Sequence, residues 1–550
     1  MRFGILSLGL GLFLAPGHAA VTGMVTDNSG KPLSGVSVRF VDEANPAGEA
    51  AAFTNTAGAY TLQLPAPGTT EIQRTPWRKA DFASADPRSG NGRFYSLSGR
   101  WVDFRQSRPG SGWYFLRPER EEALSSPPQP DPESHPLAKS AAARIFHAYL
   151  TGKGAYPFQA PAVALNDGDT RDFRLTAVNL WDSTRAILRD SLANCAYQFK
   201  TVKQGRVAFL GGSITFNPGW RDSVQNYLKK KYPGTVFDFI NAGIPSVGSD
   251  MHGFRLRRDV LEKGKVDLLF FESAVNDTTN KVPSIVRTRA YEGILRQALK
   301  NNPFMDIVYL YFAEASFYPN VAAGKPIALI SDYESSAVQY GIPSLNLAQY
   351  VAERYTWAEF GGDVHPGPFG QGIYFRGITR LLDAAWGGSG AIQAPVAHRV
   401  PVKMMDSLCY YQGHTDSISK AVIVNGWKRI ASWKPTDVGT RDGFVNVPVL
   451  EATTPGDTLK LTFTGTAIGI VVPAGPDVGM LDYAIDGKAL GTRDQFTPWS
   501  SGLHIPWTYI FSSDLEMKQH ELRLVIATGK NPASTGHACR IIRFVVNGPG

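Results

Sequence analysis

The stretch "VAFLGGSIT", residues 207–215, carries apolar, strand-forming residues into two glycines and then a serine. Such a run forms a strand, and the double glycine ends it at a corner from which Ser213 projects among free backbone amides. The same alternation continues downstream. "GRVAFLGGS" leads into the helical period of "WRDSVQNYLKKKYP", "VFDFINAGIP" into "DMHGFRLRRDVLEKG", "VDLLFFESAVND" into "RTRAYEGILRQALKNN", and "DIVYLYF" into "PIALISDYESSAVQYG". Strands so uniformly apolar are covered on both faces, which predicts an α/β domain with a parallel sheet between helical layers. Functional groups in such folds gather at the carboxyl ends of the strands. Here the first strand ends at Ser213, the second in "NAGIPSVGSD" with Gly243 and Gly248, and the third in "ESAVND" with Asn276. Far downstream, "FGGDVHPGPFG" sets Asp363 and His365 in a loop ahead of the helical "YFRGITRLLDAAW".

The 550 residues are too many for one core, and about 100–200 residues per domain gives two to four. Residues 1–19 read as an export leader: Arg2 supplies the charge, an apolar stretch follows, and Gly17, His18 and Ala19 form a small-residue cleavage site. That apolar run is shorter than the roughly 20 residues a spanning helix needs, and no later segment qualifies, so export to the periplasm or beyond is expected, with no membrane span. Residues 20–117 alternate apolar and polar positions around Gly-rich turns, the pattern of a β-rich module. Residues 118–171 include the acidic, proline-rich "EEALSSPPQPDPESHP" and are assigned to a linker. The α/β domain is placed at 172–395, opening with a helical reading of "AVNLWDSTRAILRDSLANC". Short alternating strands such as "TLKLTFTGTAIGIVVPAG" make 396–550 a C-terminal β-sandwich.

A formal charge of +8 is small for this length, and the one basic run, "KKK" at 229–231, sits at a helix end where it complements the dipole. Nucleic acid is therefore not an expected partner. Three cysteines, Cys195, Cys409 and Cys539, exclude both a disulfide framework and a structural zinc site. One bridge, Cys409 to Cys539, would staple the C-terminal region.

A serine, a histidine, an acid and a carboxamide are the parts of acyl transfer to water. A hydroxyl attacks, an imidazole takes its proton, and amide donors hold the oxyanion. "GGSIT", "NAGIPSVGSD", "AVND" and "DVHP", in this order and at these separations, resemble the four blocks of the SGNH or GDSL hydrolases over residues 203–390. The resemblance implies a flavodoxin-like three-layer α/β/α fold, with Ser213 as nucleophile, His365 as base, and Ser213, Gly248 and Asn276 around the oxyanion. It implies no metal or organic cofactor. Gly212 stands where the family name has Asp, and Gly362 stands where the family sets its acid, with Asp363 one residue later. Either Asp363 or a backbone carbonyl orients the imidazole. In the second block Gly243 is the alternative to Gly248. Residues 21–65 separately resemble the carboxypeptidase regulatory-like modules, transthyretin-like β-sandwiches used as spacers or adhesion units.

The segments beside these blocks are polar and aromatic rather than broadly apolar. Trp220, Phe254, Phe317 and Tyr318 are candidates to stack on sugar rings, and Arg221 to bond sugar hydroxyls. Glu272 and Glu314 read as structural. With sandwich domains on both sides and jelly-roll-like strands at the C-terminus, the chain resembles the esterases that deacetylate hemicellulose or pectin. The expected substrate is acetylated polysaccharide, xylan or xyloglucan among them. A lipolytic GDSL esterase and an inactive glycan-binding protein are the alternatives.

Overall fold

The computed structural model describes residues 20–27, 30–33, 36–42, 49–64, 185–387 and 394–550, together with short segments between 93 and 175. The expected leader lies outside them. The chain divides into two compact units, Met1–Trp181 and Asp182–Gly550.

The first unit is β throughout its described part. Val21–Asp27 pairs antiparallel with Ala59–Leu62 and parallel with Phe173–Leu175. A second sheet joins Glu49–Phe53, Ser37–Asp42, Arg144–Thr151 and Val163–Leu165. Val21, Val25, Val38, Phe40, Tyr60, Ala148, Leu165 and Phe173 share one core, the inward half of each alternating strand. The expected linker at 118–171 is corrected here. Within it Arg144–Thr151, Phe158–Gln159 and Val163–Leu165 are strands of this sandwich, because "RIFHAYL" alternates as the earlier strands do and finds Ser37–Asp42 to pair with. Between them, Arg93–Ser96, Trp101–Val102 and Tyr114–Arg117 form a three-stranded sheet of their own.

In the second unit five parallel strands, β1 (Gln204–Gly211), β2 (Val236–Gly243), β3 (Leu268–Phe271), β4 (Asp306–Tyr311) and β5 (Ser344–Asn346), lie in the order β2-β1-β3-β4-β5. A two-residue strand, Ala186–Ile187, pairs antiparallel with β5 at the edge. Of the helix expected over 177–195, residues 177–184 lie outside the described residues, 185–192 are not helical, and the described helix begins only at Ala193, after Leu192 in a left-handed conformation.

Alternate residues of each strand enter opposite layers. Val207, Phe209, Leu268, Phe270, Val308 and Leu310 pack against α2 (Trp220–Lys231) and α7 (Pro368–Trp386). Ala208, Leu210, Leu269, Phe271, Ile307 and Tyr309 pack against α3 (Ser249–Asp259), α5 (Ser284–Asn301) and α6 (Ala328–Tyr340). Two short helices, α1 (Ser213–Phe216) and α4 (Ala274–Thr279), follow β1 and β3. Among the described residues no helix is long and apolar enough to cross a membrane.

The strand order reverses at β1, and the register holds the strand ends level: Gly211 lies opposite Gly243, and Leu210 opposite Phe271. The carboxyl ends of β1, β2 and β3 therefore open onto one place, the topological switch point where such sheets bind ligands.

From Gly413 the chain builds a sandwich of a four-stranded sheet, a five-stranded sheet and a three-stranded flank, around Leu459, Ile470, Leu481, Leu524, Phe544 and their neighbours. Cys409 and Cys539 do not staple it. All three cysteines are free and buried, Cys409 against Met404 and Cys539 inside the sandwich core.

Candidate active site

Ser213 is the first residue of α1, β1 ends at Gly211, and Gly212 is the bend between them. The corner leaves no room for a side chain at either glycine. A Cβ on Gly211 would meet Glu272 Oε1 at 2.0 Å, and one on Gly212 would meet Asn276 Oδ1 at 1.9 Å. The second contact shows that the carboxamide of Asn276 lies directly against Gly212, so a side chain there would displace it. Beneath the corner, the fully buried Glu272 accepts from the N–H of Gly212 (2.7 Å) and from the hydroxyl of Thr215 (2.6 Å). Burial pushes its carboxyl up to about 7, against the pull of those two donors.

The loop after Asp363 brings His365 across the sheet end, and its Nε2 lies 2.6 Å from Ser213 Oγ. The ring is 43% exposed, and its Nδ1 is 3.5 Å from Asp363 Oδ1. The same carboxylate oxygen accepts from the backbone N–H of His365 at 2.9 Å. At 3.5 Å the aspartate acts on the ring by charge more than by a short hydrogen bond. The imidazole nonetheless titrates below its ordinary value. Partial burial disfavours the cation most, Asp363 favours it, and Arg441 disfavours it again. A neutral ring is the form that can take the serine proton.

The two candidate glycines differ. A Cβ on Gly243 would strike the backbone of α1, 2.4 Å from Phe216 N, and the N–H of Gly243 is already donated to Asn241 Oδ1 at 3.0 Å. Gly248 is the residue before α3, packed against Asp277, whose Oδ1 accepts from Ser249 N at 2.7 Å while Tyr333 donates to its other oxygen at 2.5 Å. That network anchors the turn between Gly248 and α3.

Three of the four rings expected to stack on sugars, Trp220, Phe254 and Phe317, are in the core. Trp220 is 1% exposed and wedged between Phe209, Phe270 and Phe312, its indole N–H donated to Ile214 O. Phe317, 4% exposed, and Phe254 belong to the core. Arg221 spends its guanidinium on Thr215 O and Asp222. Each sits on the inward side of its helix or turn, where aromatic area is buried. Tyr318 is half-buried against Trp357. Among the described residues no group of three or more His, Cys, Asp or Glu side chains is arranged to hold a metal ion.

Two contributors escaped the sequence. Glu272 carried a signal, a carboxylate closing the wholly apolar "LLFF" four residues before Asn276. Arg441 carried none, because it belongs to another domain.

Residues 209–373 match the profile of the GDSL-like Lipase/Acylhydrolase family. No curated protein matches the sequence. Among solved structures, a two-domain esterase active on acetylated mannans, co-crystallised with mannopentaose, is similar at TM-score 0.54 and 20% identity, covering 67% of this chain and 98% of that one. An acetylxylan esterase from Geobacillus stearothermophilus aligns at TM-score 0.28 and 18% identity, over 34% of this chain and 97% of that one. The central domain is a GDSL/SGNH hydrolase domain, flanked by strand-rich regions on both sides, and the protein is a carboxylic ester hydrolase.

Proposed function

We propose that the protein is an exported acetylesterase that removes O-acetyl groups from a hemicellulosic polysaccharide. The observation that carries the chemistry is the 2.6 Å approach of His365 Nε2 to Ser213 Oγ across 152 residues of chain. Ser213 Oγ attacks the acetyl carbonyl as His365 takes its proton, and the oxyanion collects against the amides of Ser213 and Gly248 and the carboxamide of Asn276. Collapse breaks the bond to the sugar oxygen, which leaves with the proton from His365. Water then attacks the acetyl-serine, giving its proton to His365, and acetate departs as Ser213 recovers its own. Asp363 keeps the imidazole oriented. Gly248 is preferred to Gly243 because the N–H of Gly243 is already engaged.

The carbohydrate part of the reading rests on the similar esterase active on acetylated mannans, on the leader-like residues 1–19 and on the flanking sandwiches. In that reading the N-terminal unit, with its carboxypeptidase regulatory-like pattern at 21–65, is a spacer, and residues 396–550 are a jelly-roll-like module beside the catalytic domain. The test is acetate release from acetylated xylan, xyloglucan, mannan and pectin, alongside p-nitrophenyl acetate and a long-chain p-nitrophenyl ester. Release from at least one of the hemicelluloses, lost in Ser213→Ala, is the expected result. Preference for the long-chain ester replaces the reading with a lipolytic one, and wild-type activity equal to that of Ser213→Ala overturns it.

A further inference from the structure

The loop that carries Gly248 is held from outside its own domain. Between β2 and α3, Val247 is 2% exposed and lies in an apolar cluster made jointly by Met251 and Phe254 of α3 and by Trp433, Phe444, Val449 and Val471 of the C-terminal sandwich. Its neighbour Ser246 has a left-handed backbone, φ 71°, a conformation that a residue with a side chain holds only when its surroundings insist. Two donors insist here. Asn280 Nδ2 donates to Ser246 O at 2.9 Å, and Arg441 Nη2 donates to Ser246 Oγ at 3.2 Å.

Arg441 itself comes from a sandwich loop that is fastened before it reaches across. Asp437 pairs with His504 Nε2 at 2.7 Å, Thr440 Oγ1 donates to His504 O at 2.6 Å, and His504 N donates to Gly439 O at 2.9 Å. The guanidinium is half-buried, which disfavours its charge more than Asp442 alongside supports it, and its Nε is shielded without a hydrogen-bond partner.

We propose that Arg441 is a positioning residue of the esterase site: it fastens the 244–248 loop that presents the Gly248 amide, so that the C-terminal sandwich completes the catalytic apparatus. The inference rests on the roles of Ser213, His365 and Gly248 given above. It has an electrostatic corollary. The charged groups that bear on the His365 ring are Asp363 from its own loop and Arg441 from the sandwich, so Arg441 opposes imidazolium while Asp363 supports it.

The experiment uses the full chain and p-nitrophenyl acetate, with kcat and KM followed against pH for the wild type, Arg441→Ala, Arg441→Lys and Ser246→Ala. Arg441→Ala is expected to lower kcat by about 10- to 100-fold, less than loss of an oxyanion donor outright, with KM little changed. It is also expected to move the acid limb of kcat/KM to higher pH, because the imidazole loses its cationic neighbour. Arg441→Lys keeps the charge and leaves the limb in place while recovering only part of kcat. Ser246→Ala removes the acceptor but not the charge, so kcat falls and the limb stays. An Arg441→Ala enzyme with wild-type kcat and an unmoved limb overturns the proposal, as does a loss of kcat shared equally by all three variants with no movement of the limb. If Arg441→Ala loses its cooperative melt, Arg441→Lys and Ser246→Ala decide by the same two readings. Wild-type activity no greater than that of Ser213→Ala defeats the esterase reading instead, a result separable from all of these.

Discussion

At the scale of single residues, the site is a set of small groups whose positions matter more than their identities. In the proposed mechanism the carboxamide of Asn276 faces the oxyanion, and it packs directly against Gly212. Asn276→Ala removes the donor while leaving the corner intact, and kcat on p-nitrophenyl acetate is expected to fall by about 100- to 1,000-fold with KM nearly constant. Asp363 is a different case, since its carboxylate is 3.5 Å from the ring nitrogen and also caps the backbone of His365. Asp363→Asn keeps the cap and removes the charge, so its loss of kcat is expected to be smaller than that of His365→Ala in the same assay. Equal losses would mean that the aspartate bonds the imidazole directly during turnover. Ser213 and Asn276 stand out in the sequence because each follows the end of an apolar strand, and His365 because it lies in a Gly- and Pro-rich loop before a helix. The aromatic side chains do not, because hydrophobicity is the same whether a ring faces a sugar or a core, and Trp220 and Phe317 face the core.

At the scale of elements, β1, α1 and β3 meet over Glu272. The buried carboxylate accepts from Gly212 N and Thr215 Oγ1 and so ties the strand-to-helix corner to the end of the neighbouring strand. Its carboxyl is raised from 4.5 to about 7, chiefly by burial. A group whose folded value exceeds its unfolded one stabilises the fold fully below the unfolded value, and that contribution is lost as pH rises through the folded value. Thermal melts between about pH 4.5 and 8 are therefore expected to show a falling contribution from this site, and Glu272→Gln, which keeps the acceptor oxygen, to flatten it. Glu272→Ala leaves two buried donors unpaired and is expected to cost about 1–3 kcal/mol for each of them. The sequence reads Glu272 as structural; its place under the nucleophile corner makes that structural role part of the site.

At the scale of the whole second unit, the segment after α7 returns to the far end of the sheet. His398 Nε2 lies 2.9 Å from the buried Asp306 at the start of β4, and Nδ1 lies 3.4 Å from Asp190. The two carboxylates overcome the effect of burial and push the imidazole up to about 9. Here too the folded value is the higher one, so the clasp is complete below about pH 6.5 and is lost as pH rises through about 9. His398→Ala is expected to lower stability on the order of 2 kcal/mol at about pH 6, with the difference shrinking by about pH 10, as read from denaturant melts. A pH-independent difference would assign the effect to packing alone.

What the sequence by itself determined is the part governed by local patterning. Uniformly apolar strands require helices on both faces, and double glycines and polar strand ends mark the edge where a site is built, so the α/β layer order and the candidate residues Ser213, Asn276 and His365 follow from residues near one another in the chain. Only the tertiary structure decided what depends on contact between distant segments: that Arg144–Thr151 and Phe173–Leu175 return to pair with the first strands of the N-terminal sandwich, that Asn276 packs against Gly212, and that Arg441 crosses from one domain to the loop of another. The physical reason is that periodicity encodes which face of an element is buried, whereas the identity of what buries it is set by packing, and a single arginine in a polar loop has no period to announce it.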